Sequence, residues 1–274
     1  DLRDRDGGNQ LSASGELSLQ PALRWSLRGS SQGLALAPLS PQLRGTLAGG
    51  FNSRGRVEED SWQAEFSEVE LRGNINAQPA TVSGAIRLGD GAVLPGTDLR
   101  ANVNEARLWL RADAAQRGAA QLDLEIDDLA RWQADTAGRL LVHAQISVSG
   151  DAYQVRGVLE DARHDQLSLA RATVEASYRR DQGQDFDASV AASGLRLGAT
   201  ALDSVDLAAS GDAQRQRLQL RVSGDLTGEL DLNGSGDRQD WRAELRSSTL
   251  RLQLPAGTEL QGDLHGNVAG RWPR

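Results

Sequence analysis

Between Arg217 and Leu254 polar and apolar residues alternate almost without a break, and that alternation limits the chain to very few folds. Leu218, Leu220 and Val222 are separated by Gln219 and Arg221. After Ser223-Gly224-Asp225 come Leu226, Leu230 and Leu232, and after Gly234-Ser235-Gly236-Asp237 come Trp241, Ala243 and Leu245. Leu250, Leu252 and Leu254 close the series around Arg251 and Gln253. Neighbouring side chains of a strand point to opposite faces, so each segment has one apolar and one charged face. Short strands joined by Gly-containing turns about every dozen residues predict antiparallel β-sheet.

The same alternation runs through most of the 274 residues. It begins at Leu17 and Leu19 and continues through Leu23, Trp25 and Leu27. Residues 29–42, with Gly29, Gly33, Pro38 and Pro41, are expected to interrupt pairing. Leu43 and Leu47 resume the pattern, followed by Trp62, Ala64 and Phe66, and then by Val69 and Leu71. A turn-rich stretch at 89–98 precedes Ala101, Val103, Leu108 and Leu110, and then Leu122, Leu124 and Ile126. Alternation lapses from Asp127 to Thr136, where Asp128 is placed to cap a short helical turn. Leu140, Val142, Ala144, Ile146 and Val148 give the longest uninterrupted alternation. Tyr153, Val155, Val174, Tyr178, Phe186, Val190, Val205 and Leu207 carry it to the C-terminal third.

No composition change cuts the chain, so 1–274 is expected to be one elongated β segment with residues 1–12 frayed. So many strands curl, split or close, which leaves a sandwich, a solenoid or a long sheet bent into a trough. The chain opens at Asp1 and holds no Met, so it is expected to be a piece of a longer protein.

Composition narrows the partners. The net charge is −8 and every one of the thirty basic residues is Arg, without a basic block. Such a chain is poorly suited to a nucleic-acid backbone or to anionic headgroups. Cys is absent, which removes disulfides and thiolate metal sites. No run approaches the roughly 18 apolar residues of a membrane span, and no signal peptide opens the chain.

Asp231-Leu232-Asn233-Gly234-Ser235-Gly236-Asp237 imitates the start of a calcium loop, but its twelfth position is Arg242 in place of a bidentate Glu. A polar β-turn is the better reading. Asn233-Gly234-Ser235 is a formal glycosylation sequon arising by chance. His143, His164 and His265 are scattered, and the acidic clusters at 58–60, 127–128 and 160–161 fall at strand ends as solvated turns. Without Lys there is no Walker-type loop. The expectation is no catalytic residue, no metal and no cofactor.

The apolar stripe remains. A strand with three Leu or Val on one face gains about 1.5–3 kcal/mol per side chain when fully covered. Uncovered over many strands, the stripe would far exceed the patch a soluble protein leaves exposed. Periodicity leaves two readings open: the stripe closes against itself, or a ligand such as acyl chains fills it.

Several stretches in order carry a family resemblance: Leu19-Gln20-Pro21-Ala22-Leu23-Arg24-Trp25, Leu43-Arg44-Gly45-Thr46-Leu47 and Leu71-Arg72-Gly73-Asn74-Ile75. Asp128-Leu129-Ala130 then leads to Ala137-Gly138-Arg139-Leu140, Leu195-Arg196-Leu197-Gly198 leads to Ser210-Gly211-Asp212, and Asp240-Trp241-Arg242-Ala243-Glu244-Leu245 closes the series. In this order they resemble the TamB family, within the AsmA-like group, over nearly all of the chain. The resemblance implies an all-β, elongated, curved antiparallel sheet forming a U-shaped trough with an apolar concave face and at most one or two short helices. It implies a periplasmic phospholipid conduit between the inner and outer membranes of a Gram-negative bacterium, supporting autotransporter-type outer-membrane protein assembly. The anchor in the inner membrane would lie in a segment not present here. The implied partners are phospholipid acyl chains, the rest of a TamB chain, and the outer-membrane barrel TamA through other regions.

On that reading the groove lining is Leu108, Leu110, Leu122, Leu124, Ile126, Leu140, Val142, Ile146, Val148, Val174, Leu218, Leu220, Val222, Leu250 and Leu252, with Trp109 at the rim. Two rivals stay open: a spacer whose trough is filled by its own side chains, and a chaperone-like binder offering sheet edges to β-strand clients.

Overall fold

A computed structural model describes residues 2–3, 10–37, 44–59, 61–90, 92–112, 119–133, 135–147, 152–180, 185–236, 240–253, 259–263 and 266–271. The fold is all-β, and every strand pairing described is antiparallel. Among the described residues the helical piece is one 3-10 turn, Leu129–Arg131. Asp128 caps it as expected, its carboxylate accepting from the Ala130 amide at 3.0 Å. Contacts gather the chain into two compact units: residues 1–125 with 145–150, and residues 126–144 with 151–274.

The first unit runs β1 (Leu2–Arg3), β2 (Gln10–Ser18), β3 (Leu23–Ala35), β4 (Gly45–Glu58), β5 (Ser61–Ile75) and β6 (Gln78–Gly89), each paired with the next. β6 then carries the two-residue β7 (Ala92–Val93) at one end and β8 (Thr97–Val103) along the rest of that edge. β9 (Ala106–Ala112) and β10 (Ala120–Ile126) continue the ladder. Of the expected frayed start, residues 1 and 4–9 lie outside the described residues.

β3 departs from expectation. It runs through Gly29 and Ser31 to Ala35, where an interrupted connection was expected. Phe51 stands opposite Gly29 and its ring lies across the space a side chain would take, so the glycine weakens the strand without breaking it. Ser31 is 5% exposed and its hydroxyl accepts the Gly33 amide at 3.1 Å. Gly55 plays a similar part for Trp25. A Cβ there would lie 2.2 Å from the indole, which takes that space and donates Nε1–H to Ser53 Oγ at 2.9 Å.

The parity switch between Phe66 and Val69 has a structural cause. Register shifts occur between β3 and β4 (Ser31/Leu34), β4 and β5 (Gly50/Asn52) and β5 and β6 (Phe66/Val69), the last two from one extra residue in β5, with Glu68 at φ 50°. One extra residue resets the alternation, so Trp62, Ala64 and Phe66 as well as Val69, Leu71 and Ile75 remain apolar positions of one strand.

The core of this unit is small and lies at one strand end. Leu36, Leu47 and Ala80 are buried, with Leu71, Ile75, Val82 and Val103 packed against them. Two-residue turns close the hairpins there, with Asn76 and Ala77 between Ile75 and Gln78 and Asn104 between Val103 and Ala106, all at positive φ.

The second unit holds most of β11 (Thr136–Ile146), followed by β12 (Ala152–His164), β13 (Leu167–Arg179), β14 (Asp185–Leu197), β15 (Thr200–Gly211), β16 (Arg215–Gly224), β17 (Leu226–Gly236) and β18 (Asp240–Gln253). From β12 to β18 each strand pairs with the next. The far side of β18 is shared, with β19 (Glu259–Asp263) on residues 249–253 and β20 (Gly266–Arg271) on residues 240–245. A second line of irregularity crosses this unit at Asp161 (φ 49°), Gly194 (φ 64°) and the Leu202/Ser204 shift. A Cβ on Gly194 would lie 2.8 Å from the Ala170 methyl, so only glycine fits. Beyond that line the apolar parity changes again, from Ala172, Val174 and Ala176 to Leu167 and Leu169.

The recurring Ser-Gly-Asp turn is used in two ways. Asp212 folds back on its own turn and accepts the Gln214 and Arg215 amides at 2.6 and 2.8 Å. Asp225 reaches the neighbouring strand and accepts the Ala201 amide at 2.7 Å.

Two outcomes follow. Leu47→Ala empties one of the few buried sites and is expected to lower stability by about 2–4 kcal/mol, read from the urea midpoint. The two amide hydrogen bonds hold the Asp212 carboxyl below its ordinary value. A depressed folded-state pKa stabilises above the unfolded value, near 4, and that contribution disappears as pH falls through the lower folded value. Amide exchange at Gln214 and Arg215, corrected for intrinsic rates, should therefore accelerate on acidification through this window, and Asp212→Asn should remove the pH dependence.

Candidate functional site

Register turns the alternating strands into continuous rows, because directly paired residues share a face. In the second unit one row reads Gly157, Val174, Val190, Leu207, Leu220, Leu230. Beside it lies Val155, Ala176, Ala188, Ala209, Leu218, Leu232, Leu245. On the other side lies Leu159, Ala172, Ala192, Val205, Val222, Gly228. Three parallel apolar rows thus cross six strands.

Among the described residues no second layer packs on them. The buried apolar side chains described in this unit are Ala144 and Ala172, each 8% exposed. Leu218, Leu220 and Val222 are half-buried, and Val174 is 41% exposed. A face closed on itself would hold large side chains with no exposure, and the described residues include none below 2%.

The opposite face is ionic. Arg217 pairs with Asp231 at 2.6 Å, Arg221 with Glu229 at 3.0 Å, Arg156 with Glu175 at 3.2 Å, and Arg171 with Glu160. The Asp231 carboxylate raises the already high pKa of the Arg217 guanidinium.

The first unit repeats the arrangement. Leu71, Val82, Ala101, Leu108 and Leu124 form one row, and Val69, Gly84, Leu99, Leu110 and Leu122 the next. On its polar face Glu65 sits between Arg54 (2.8 Å) and Arg87 (3.3 Å), and Arg107 and Arg111 pair with Glu125 and Asp123. Trp109, on the opposite parity to Leu108 and Leu110, belongs to this polar face. The Arg100 and Arg111 guanidiniums lie over its ring, 4.7 and 3.7 Å from the ring centre, and Nε1–H donates to Asp98 at 2.7 Å.

The expected lining residues fall as follows. Leu108, Leu110, Leu122 and Leu124 meet in the first unit, and Val174, Leu218, Leu220 and Val222 meet in the second. Ile126, Leu140, Val142 and Ile146 are half-buried in β10 and β11. Val148 lies outside the described residues, and Leu250 and Leu252 are described by backbone pairing to Gly228 and Leu226. The expected list lacked Val190, Val205, Leu207, Leu230 and Leu232, which complete the rows. Their alternation was visible in sequence, but their place in one face needed the register.

Residues 2–265 match the family described as TamB, N-terminal domain. The chain belongs to the TamB family. Among curated proteins it is 24% identical over 216 residues to the translocation and assembly module subunit TamB of Haemophilus influenzae, covering 77% of this chain. It spans 16% of that relative's length. No solved structure matches. Among the described residues, no helix of this TamB-family chain is long and apolar enough to cross a membrane.

An uncovered face tolerates charge. Leu220→Glu is expected to cost about 1 kcal/mol or less in urea unfolding, against 3 kcal/mol or more for a glutamate forced into a packed interior.

Proposed function

We propose that this chain is part of a periplasmic conduit for phospholipid between the inner and outer membranes of a Gram-negative bacterium. The observation that supports it is the set of apolar rows crossing six strands without a covering layer among the described residues. Acyl chains are the occupant that fits: flexible, wholly apolar, and as long as several rows are deep. Successive strands present near-equivalent apolar positions, so a chain can pass from one to the next without a deep trap. By its family the segment would work within a longer TamB-type protein, with the TamA barrel met through other regions, and would support assembly of outer-membrane proteins and autotransporters. No catalytic residue enters this mechanism.

One observation favours a second reading. Along Ser12–Ser18, among the described residues, β2 is paired on one side by β3, while β1 meets only Gln10 and Leu11 on the other. An open backbone edge suits a β-strand client.

A photo-crosslinking residue at Leu220 or Ile146, in the full-length protein in cells, separates the two. Lipid adducts at these positions, with the Ile146 adduct lost in Leu220→Glu, support the conduit. A folded protein that captures no lipid there, but captures protein clients from a probe at Ser14, overturns it.

A further inference from the structure

Two strands of the first unit interrupt its aliphatic rows. On the face shared with Leu71, Val82 and Leu108, β3 offers Trp25, Leu27, Gly29 and Ser31, and β4 offers Gly55, Ser53, Phe51 and Gly49 in the same order. Each large side chain stands opposite a small partner: Trp25 against Gly55, Leu27 against Ser53, Phe51 against Gly29. In the second unit facing partners match in size, as Val174 matches Val190 and Leu207 matches Leu220. There the aromatic side chains Tyr153, Tyr178 and Phe186 stand apart from the rows, at one end of β12, β13 and β14, with the two tyrosine rings 6.2 Å apart.

The unequal pairs of β3 and β4 are filled by rings that lean across to the neighbouring strand. A Cβ on Gly29 would lie 2.5 Å from the Phe51 ring, and one on Gly55 2.2 Å from the Trp25 ring. Each ring therefore occupies the place of its partner's missing side chain. The Phe66 ring of β5 meets Phe51 edge-on, 5.8 Å between centroids, and the Trp25 indole is tied down by its hydrogen bond to Ser53. Without the rings these strands are polar at this level. Ser53 is only 6% exposed, and its hydroxyl and the glycine peptides would otherwise face any ligand on the rows. A hydrocarbon ligand cannot satisfy such groups, and covering them with one is costly.

We infer that Trp25 and Phe51 carry the apolar lining across the serine and glycine positions of β3 and β4. The inference rests on the conduit reading and adds to it two residues that decide what this part of the face presents. An acyl chain meets the rings and not the serine hydroxyl or the bare backbone. The role asks for apolar cover and not for aromaticity, so leucine serves in place of either ring and serine does not. Gly29 and Gly55 belong to the same device, because a side chain on either would displace its ring.

The test is made in the full-length protein in cells. One photo-crosslinking residue is placed at Leu27, in the row between the two rings, and another at Leu110, on the aliphatic rows of the same unit. Both positions should yield lipid adducts. Trp25→Ser with Phe51→Ser should lower the Leu27 adduct about tenfold and leave the Leu110 adduct, which reports that the unit is folded. Trp25→Leu with Phe51→Leu should keep both. Phe51→Ser alone leaves the Trp25–Ser53 bond in place and should lower the Leu27 adduct by a smaller factor; should the double serine variant lose both adducts, this single variant decides. A wild type that captures lipid at Leu110 but none at Leu27 means that the rings close the face, which overturns the inference and leaves the conduit reading standing. Serine variants that capture lipid at Leu27 as the wild type does overturn it too, as does a leucine variant that loses the adduct. A protease-resistant wild type with no lipid adduct at either position removes the conduit reading and this inference with it.

Discussion

Backbone hydrogen bonding between antiparallel neighbours carries this fold, because side-chain burial contributes so little. Seven of the ten buried apolar side chains described are Ala, and the largest group is a three-residue cluster around Leu47. A globular domain gains most of its stability by removing large apolar side chains from water. Here the described strands inside the ladder instead satisfy their amides and carbonyls on their neighbours and leave one face half-covered. Stability therefore accumulates strand by strand, as in a repeat protein, with each contribution confined to adjacent pairs.

Such a ladder needs its register fixed by something other than a core. A slip of one residue would move every apolar side chain to the ionic face. The ionic face opposes that slip in the same way. Arg217 reaches Asp231 and Arg221 reaches Glu229 along neighbouring strands, and a shift by one would turn these carboxylates to the other side. Exposed pairs of this kind contribute little stability each. Their repetition instead penalises the wrong alignment, and the long bidentate reach of Arg suits it to the task. The exclusive use of Arg in this chain fits that demand.

Most of this was legible in the residue pattern. The strand class was read from apolar spacing and the capped turn at Asp128 from the lapse in that spacing, since each is local. Three features were not. β3 continues past Gly29 because Phe51 lies in the next strand and covers it, which is a cross-strand fact. Parity alone placed Trp109 opposite Leu108 and Leu110, and it is the two guanidiniums and Asp98 around it that make an indole comfortable on a charged face. The rows themselves were visible one strand at a time, so Leu218, Leu220 and Val222 stood out while Val190 and Leu207 did not. Small residues such as Ala176 and Ala188 weaken the signal of their own strands, yet in register they extend the face.

The rows differ in two directions, and the difference bears on how a conduit could work. From strand to strand the face of the second unit changes little: Val174, Val190, Leu207, Leu220 and Leu230 offer aliphatic groups at the regular spacing of the sheet. Along a strand it changes sharply, from leucine at one end to paired tyrosines at the other. A long apolar ligand crossing the strands meets a nearly flat free-energy profile, whereas one turning end for end would expose its chains or bury its polar group at a cost of several kcal/mol. Movement is then easy in one direction and orientation is held in the other. Both follow from a single device, the alternation of side chains on a ladder whose register does not slip.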